Sequence, residues 1–181
     1  MQELNIVDEN DNIIGKDTRE NIHKNGLLHR EIHVWIYNKN GGILFQKRAK
    51  TKDTYLDLLD ASVGGHVEIG DDYLKTAVKE LEEETGIEAE AKDLIYITRM
   101  RKNAYDERTG MKNNTVKRVY AYEFNGSADD LILEEGMASN LEFWPIDKIL
   151  NLTNEEKREF IDSVVDKEYA GVFKRIKELI K

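Results

Sequence analysis

The chain has 181 residues, of which 40% are hydrophobic and 35% charged, and its formal net charge is −9. That length suits one domain with a sizeable core, and the acidic balance argues against a broad nucleic-acid-binding face, which needs clustered Lys and Arg. The absence of cysteine excludes disulfides, thiolate-bound zinc and a thiol nucleophile, and no apolar run approaches membrane-spanning length.

The first stretch, ELNIVDENDNIIGK, places apolar residues on both sides of a turn-rich Asp8 to Asn12 and reads as a hairpin. It lacks the basic-then-apolar pattern of a signal peptide, so no membrane and a cytoplasmic location are expected. TRENIHKNG offers one helical turn. EIHVWIYNKNGGILFQKRA predicts a second hairpin, two β-rich runs around Asn38 to Gly42. Tyr73 to Thr85 is the strongest predicted helix. Leu74, Ala77, Val78 and Leu81 give its apolar stripe, Asp72 its N-cap and Gly86 its C-cap. LIYITRM and VKRVYAYEF read as strands around a polar loop, RKNAYDERTGMKNN. LEFWPIDKIL reads as a strand passing into a short helix, and 154–181 as helical, in one piece or in two divided at Ala170-Gly171. Strands, a helix, more strands and then helices predict an α+β class. A single domain over 1–181 is expected, with an N-terminal hairpin at about 1–20 and a C-terminal helical segment at about 153–181.

The helix carries the chemistry. Glu80, Glu83 and Glu84 stand at i, i+3 and i+4, so their carboxylates share a face and repel one another. An acidic run is ordinarily a solvated face, but such a face usually mixes signs, and only Lys75 and Lys79 are near. A hard cation such as Mg²⁺ would turn the repulsion into coordination and keep positions for water and substrate phosphate. Gly64, Gly65 and Gly70 precede the helix, and they read either as a tight turn or as a loop bringing backbone close to an ion or phosphate.

This stretch resembles the box of the Nudix hydrolases, G-x5-E-x7-R-E-U-x-E-E-x-G-U, with U a bulky apolar residue. From Gly65 the chain reads Gly65, Asp71, Lys79, Glu80, Leu81, Glu83, Glu84, Gly86 and Ile87 at those positions. Asp71 stands where the family has Glu, and Lys79 where it has Arg. The resemblance implies the Nudix fold, a mixed sheet between helices in an α/β/α sandwich, with the box as loop-helix-loop. It implies metal ligation by Glu80, Glu83, Glu84 and the Gly65 carbonyl, and Mg²⁺ as cofactor with Mn²⁺ as substitute. It also implies hydrolysis of a diphosphate bond in a nucleoside diphosphate linked to another group. Glu83 is the first choice of base, with Glu134 and Glu135 as later alternatives. Lys79 lies four residues before Glu83 and could orient it, without the two-pronged contact of an Arg.

HKNGLLHREIHVWIYN, LFQKRAKTKDTY and ASVGGHVEIGD look like the branch close to isopentenyl-diphosphate isomerase. That enzyme has a Cys at the position of Gly64, and its N-terminal histidines join a box-region His at a metal; its later Glu is replaced here near Lys117-Arg118. The isomerase machinery is therefore incomplete, and a hydrolase leads, with an isomerase-like enzyme or a non-catalytic binding module as alternatives. His23, His29, His33 and His66 match no standard zinc spacing. His66 is a candidate for a second metal or a phosphate, Lys47 and Arg48 for substrate phosphate, each against a plain surface or structural role. Trp35 and Trp144 are expected in the core. The expected partner is a small phosphorylated substrate, a nucleotide derivative, with a homodimer left open.

Overall fold

The computed structural model describes residues 2–49, 56–107, 109–134, 136 and 138–180. Two strands, β1 (Glu3–Val7) and β2 (Ile13–Thr18), form the first hairpin, and α1 (Arg19–Asn25) follows. Thr18 caps α1 by accepting from the Asn21 N–H, and Gly26, at φ 66°, ends it. The cap and the glycine stop make α1 longer than the single turn expected.

β3 (His29–Tyr37) is the organising strand. It runs parallel to β8 (Lys112–Glu123) along its whole length, which makes the sheet mixed. Its other edge meets β6 (Val63–His66) in antiparallel register. β4 (Gly42–Arg48) turns back from β3 as expected, but the two pair only at Tyr37 and Ile43. They then diverge, β4 joining β9 (Ala138–Pro145) on one edge and β5 (Leu59–Asp60) on the other. Each strand finds a longer partner elsewhere, so the hairpin opens into a cleft.

Side chains alternate across β3 and give each face its own core. Ile32, Val34 and Ile36 pack against Tyr73, Ala77 and Leu81 of α2 (Tyr73–Thr85). Trp35 and Tyr37 pack with Phe45 and with Tyr169, Phe173 and Ile176 of α4 (Lys167–Leu179). Trp35 is wholly buried and Trp144 packs at the margin of the same core. The caps of α2 are those expected: Asp72 accepts from the Lys75 N–H, and Gly86 closes the C-terminus at φ 71°.

Two expectations change. β7 (Ile95–Tyr105) and β8 pair from Ile95–Ala121 to Tyr105–Lys112, so most of the predicted polar loop is strand. The ladder is satisfied by backbone groups, and solvated ribbon faces need no apolar alternation. At the C-terminus, 154–166 holds two short 3₁₀ turns, Glu156–Glu159 and Asp162–Val164, and α4 runs unbroken through Ala170-Gly171. A mid-helix glycine costs about 1 kcal/mol, which the burial of Tyr169, Val172, Phe173 and Ile176 offsets. A short helix, α3 (Ile146–Ile149), follows β9 as expected. Among the described residues no helix is long and apolar enough to cross a membrane.

Candidate functional site

The cleft closes into a cavity of about 470 Å³. Carboxylates of α2 line one side. Glu84 is 3% exposed, and one of its oxygens accepts from Gln46 Nε2 at 2.8 Å. Burial pushes its carboxyl up to about 8; the Gln46 bond works against that and the Glu80 charge adds to it. Burial, with the Glu83 charge, likewise pushes Glu80 up to about 7. A Cβ built on Gly65 would lie 2.4 Å from Glu80 Cδ, so only glycine lets this carboxylate sit against the backbone of β6. A buried and a half-buried carboxyl, both with raised affinity for a proton and one seated on bare backbone, suit a hard divalent cation.

The shared face of the three glutamates is graded by depth. Glu84 is buried, Glu80 is intermediate and Glu83 is exposed toward solvent. Lys79 Nζ is 3.1 Å from Glu68 and 3.9 Å from Glu83, so its closer partner is Glu68, a carboxylate ahead of the helix. Asp71 pairs with Lys75 at 2.5 Å, one turn along. Glu134 is exposed, and its charge reaches both Glu80 and Glu84. Glu135 lies outside the described residues.

Imidazoles gather on the other side, where His23 and His66 line the cavity and His29 is buried behind them. His23 of α1, His29 of β3 and His66 of β6 each place a ring nitrogen within 4.8 Å of the other two. His23 Nε2 and His66 Nε2 are 3.1 Å apart, and Glu31 Oε1 is 3.3 Å from the same His66 nitrogen. The edge of a tetrahedron of Zn–N bonds is about 3.3 Å. His29 Nδ1 donates to the Leu27 carbonyl at 2.9 Å, which leaves the lone pair on Nε2, and that atom is buried with no hydrogen-bond partner among the described residues. Burial drives His66 down to about 3, the Glu31 charge working against it, so the ring stays neutral. An orphaned buried nitrogen, a fixed tautomer and ligand-edge distances together fit a transition metal.

Cations enter from β4 and β8. Gln46 and Arg48 alternate into the cavity, and Arg48 is 3.0 Å from Asp60. Lys47 falls on the opposite face, 3.9 Å from Asp57, and does not line the cavity. Lys117 lines it and is 8% exposed. Arg118, the next residue, faces away, its guanidinium 4.3 Å from the centre of the Tyr73 ring. His33 departs from the other three histidines and bonds Lys117 and Tyr169 instead.

The family model of the NUDIX domain matches residues 27–164. The chain belongs to the Nudix family. It is 37% identical over 97 residues to an uncharacterised Nudix hydrolase of Clostridium acetobutylicum, covering 52% of this chain and 47% of that protein. It is 30% identical over 126 residues to an isopentenyl-diphosphate Delta-isomerase of Photorhabdus laumondii, covering 70% and 67%. The chain spans about half the length of the first curated relatives it matches. The fold is similar to a Deinococcus radiodurans protein of known crystal structure, with a TM-score of 0.68, 20% identity and coverage of 96% and 98%. It is also similar to the NUDIX domain of Shewanella oneidensis NrtR complexed with ADP ribose, with a TM-score of 0.56, 14% identity and coverage of 85% and 89%.

Within the Nudix fold, the box helix supplies the carboxylate side of the cavity, and the imidazole side joins His23 and His29 from the segment before the box to His66 at its start. Spacing alone does not join His23, His29 and His66, because they sit on three different elements. Glu31 and Gln46 carry no motif at all. The signal available in the sequence was the alternation of His29, Glu31 and His33, which puts three ionisable residues on one face of a strand.

Proposed function

We propose that this chain hydrolyses the P–O–P bond of a small diphosphate, with Mg²⁺ held by Glu80, Glu83, Glu84 and the Gly65 carbonyl. The observation that carries the reading is the close seat of Glu80 on Gly65, beside the buried Glu84. When bound, a divalent cation supplies charge neutralisation on phosphate oxygens and a more acidic water. Glu84 and Glu80 hold their geometry through Gln46 and the backbone of β6. Glu83, exposed and within reach of Lys79, takes the proton from the attacking water. Arg48, anchored by Asp60, faces the substrate phosphates. A nucleoside diphosphate linked to another group is the favoured substrate, since a Nudix domain of the same fold is seen with ADP ribose. The test is a screen of nucleoside di- and triphosphates, dinucleoside polyphosphates, sugar nucleotides and coenzyme A with Mg²⁺ or Mn²⁺, reading phosphate or nucleotide release. Turnover that is lost in Glu83→Gln supports the reading; no turnover on any diphosphate overturns it.

The gathered histidines favour one second reading, an isomerase of allylic diphosphates. Such a reaction needs one group to deliver a proton and another to remove one. Gly64 has no side chain for this, and the space a Cβ would occupy there lies 3.1 Å from the His33 ring. We therefore expect isopentenyl diphosphate to remain unisomerised, and formation of dimethylallyl diphosphate by the unaltered protein reverses the preference.

A further inference from the structure

Lys117 is a cavity-lining cation with no part in the hydrolysis as described. It projects from β8 opposite Glu31 of β3, which is itself opposite His66 of β6. Residues in register on neighbouring strands share a face, so these three form a row, with His33 two residues along from Glu31.

Lys117 Nζ is 2.8 Å from His33 Nε2 and 3.3 Å from Glu31 Oε2. An ammonium only donates, so His33 Nε2 must accept, and the ring proton sits on Nδ1. That Nδ1–H donates to the Tyr169 oxygen at 2.7 Å. Burial, reinforced by the Lys117 charge, holds His33 well below its ordinary value and keeps this tautomer neutral. Burial alone would raise the Glu31 carboxyl, but the Lys117 charge works against it and Glu31 stays ionised. The chain Tyr169, His33, Lys117, Glu31 therefore fixes the ammonium in one place and uses two of its three N–H groups.

A purely structural account of this lysine is weak. A buried ion pair gains little over an apolar pair of similar volume. Val119, two residues along β8 on the same face, belongs to the apolar core against Trp35, so an aliphatic side chain suits that face. What an apolar residue would not provide is a preorganised donor directed at a polar cavity.

We propose that Lys117 is a phosphate anchor: its ammonium donates to a non-bridging oxygen of the substrate's diphosphate, with Arg19 as a second cation on the same cavity. The inference deepens the diphosphate reading and rests on it for the class of ligand. It makes Lys117 a specificity-determining residue that favours a diphosphate over a neutral or singly charged group, because the ligand's charge has to outweigh that of Glu31.

The probe is methylenediphosphonate, which the enzyme cannot hydrolyse, titrated calorimetrically into the metal-free full chain. The unaltered protein is expected to bind it, and Lys117→Met to bind it about tenfold to a hundredfold more weakly. Lys92→Met, which removes a surface ammonium paired with Glu90, is expected to match the unaltered protein. Equal binding by Lys117→Met, or no binding by the unaltered protein, overturns the proposal. If Lys117→Met does not fold, the Lys117 side-chain nitrogen resonance of the unaltered protein is followed instead. It is expected to move on titration with methylenediphosphonate, and an unmoved resonance overturns the proposal. The titration contains no metal, so a failure of Mg²⁺-dependent turnover and a failure of this anchor are read separately.

Discussion

The cavity has two walls, and burial acts on their donors in opposite ways. On the α2 wall the donors are carboxylates that repel one another, so burial and mutual charge drive them to take up protons, with Glu80 raised to about 7 and Glu84 to about 8. On the opposite wall the donors are imidazoles, and burial drives His66 the other way, down to about 3, where it stays neutral and ready to ligate. Oxygen donors that carry charge suit hard ions such as Mg²⁺, while neutral nitrogens suit Zn²⁺, Co²⁺ and their neighbours. One fold thus sets two donor chemistries against a single substrate-sized space.

The largest effect that would separate the walls is on catalysis. Glu83→Gln is expected to lower diphosphate turnover by about a hundredfold or more, the range for loss of a general base. Its Co²⁺ spectrum is expected to stay unchanged. A parallel loss of the Co²⁺ signal would mean that the walls act as one centre. Next in size, His66→Ala is expected to weaken Zn²⁺ or Co²⁺ binding by at least about tenfold, measured by competition with a chromophoric chelator. Unaltered affinity would leave the three imidazoles as a structural cluster.

A pH experiment sharpens the contrast further. Glu80 and Glu84 bind protons more tightly folded than unfolded, so the unfolded chain releases them first. In metal-free protein their contribution to stability is therefore full at pH below about 4.5 and falls as pH rises toward 7 and 8. Thermal unfolding with a chelator present should show this decline between pH 4.5 and 8, and Glu84→Gln should flatten it. A slope unchanged in the variant would place the titration elsewhere. The smallest effect expected is from Lys79→Arg. Arg restores a two-pronged contact for carboxylates, here with Glu68 at 3.1 Å and Glu83 at 3.9 Å within reach of the lysine it replaces. Turnover should stay level or rise severalfold, and a large fall with the fold intact would show a site adapted to lysine.

The two walls also differ in how far they could be read from sequence. The carboxylate wall is local: a 3.6-residue period, an Asp72 cap and a Gly86 stop place Glu80, Glu83 and Glu84 on one helix before any tertiary contact is known. The imidazole wall is non-local. His23, His29 and His66 meet only because β3 pairs with β6 and α1 packs at their shared end, and no linear spacing encodes that. Lys47 lies off the cavity for a related reason. Strand alternation sends Gln46 and Arg48 to the cavity, but which face of β4 is inward depends on β9 and β5. The long polar β7–β8 ribbon was hidden because its pairing rests on backbone bonds, which composition does not report. Whether α4 is one piece or two stays open in the sequence because Gly171 signals a stop; the packing of Tyr169 and Phe173 decides for one.

If Mg²⁺ sits on the carboxylate wall and not on the imidazole wall, calorimetric titration of Mg²⁺ into the unaltered protein, Glu84→Gln and His29→Ala separates the two. Mg²⁺ binding is expected to weaken by about tenfold or more in Glu84→Gln, in line with loss of a charged ligand contact, and to be retained in His29→Ala. Binding retained in Glu84→Gln and lost in His29→Ala would contradict that placement.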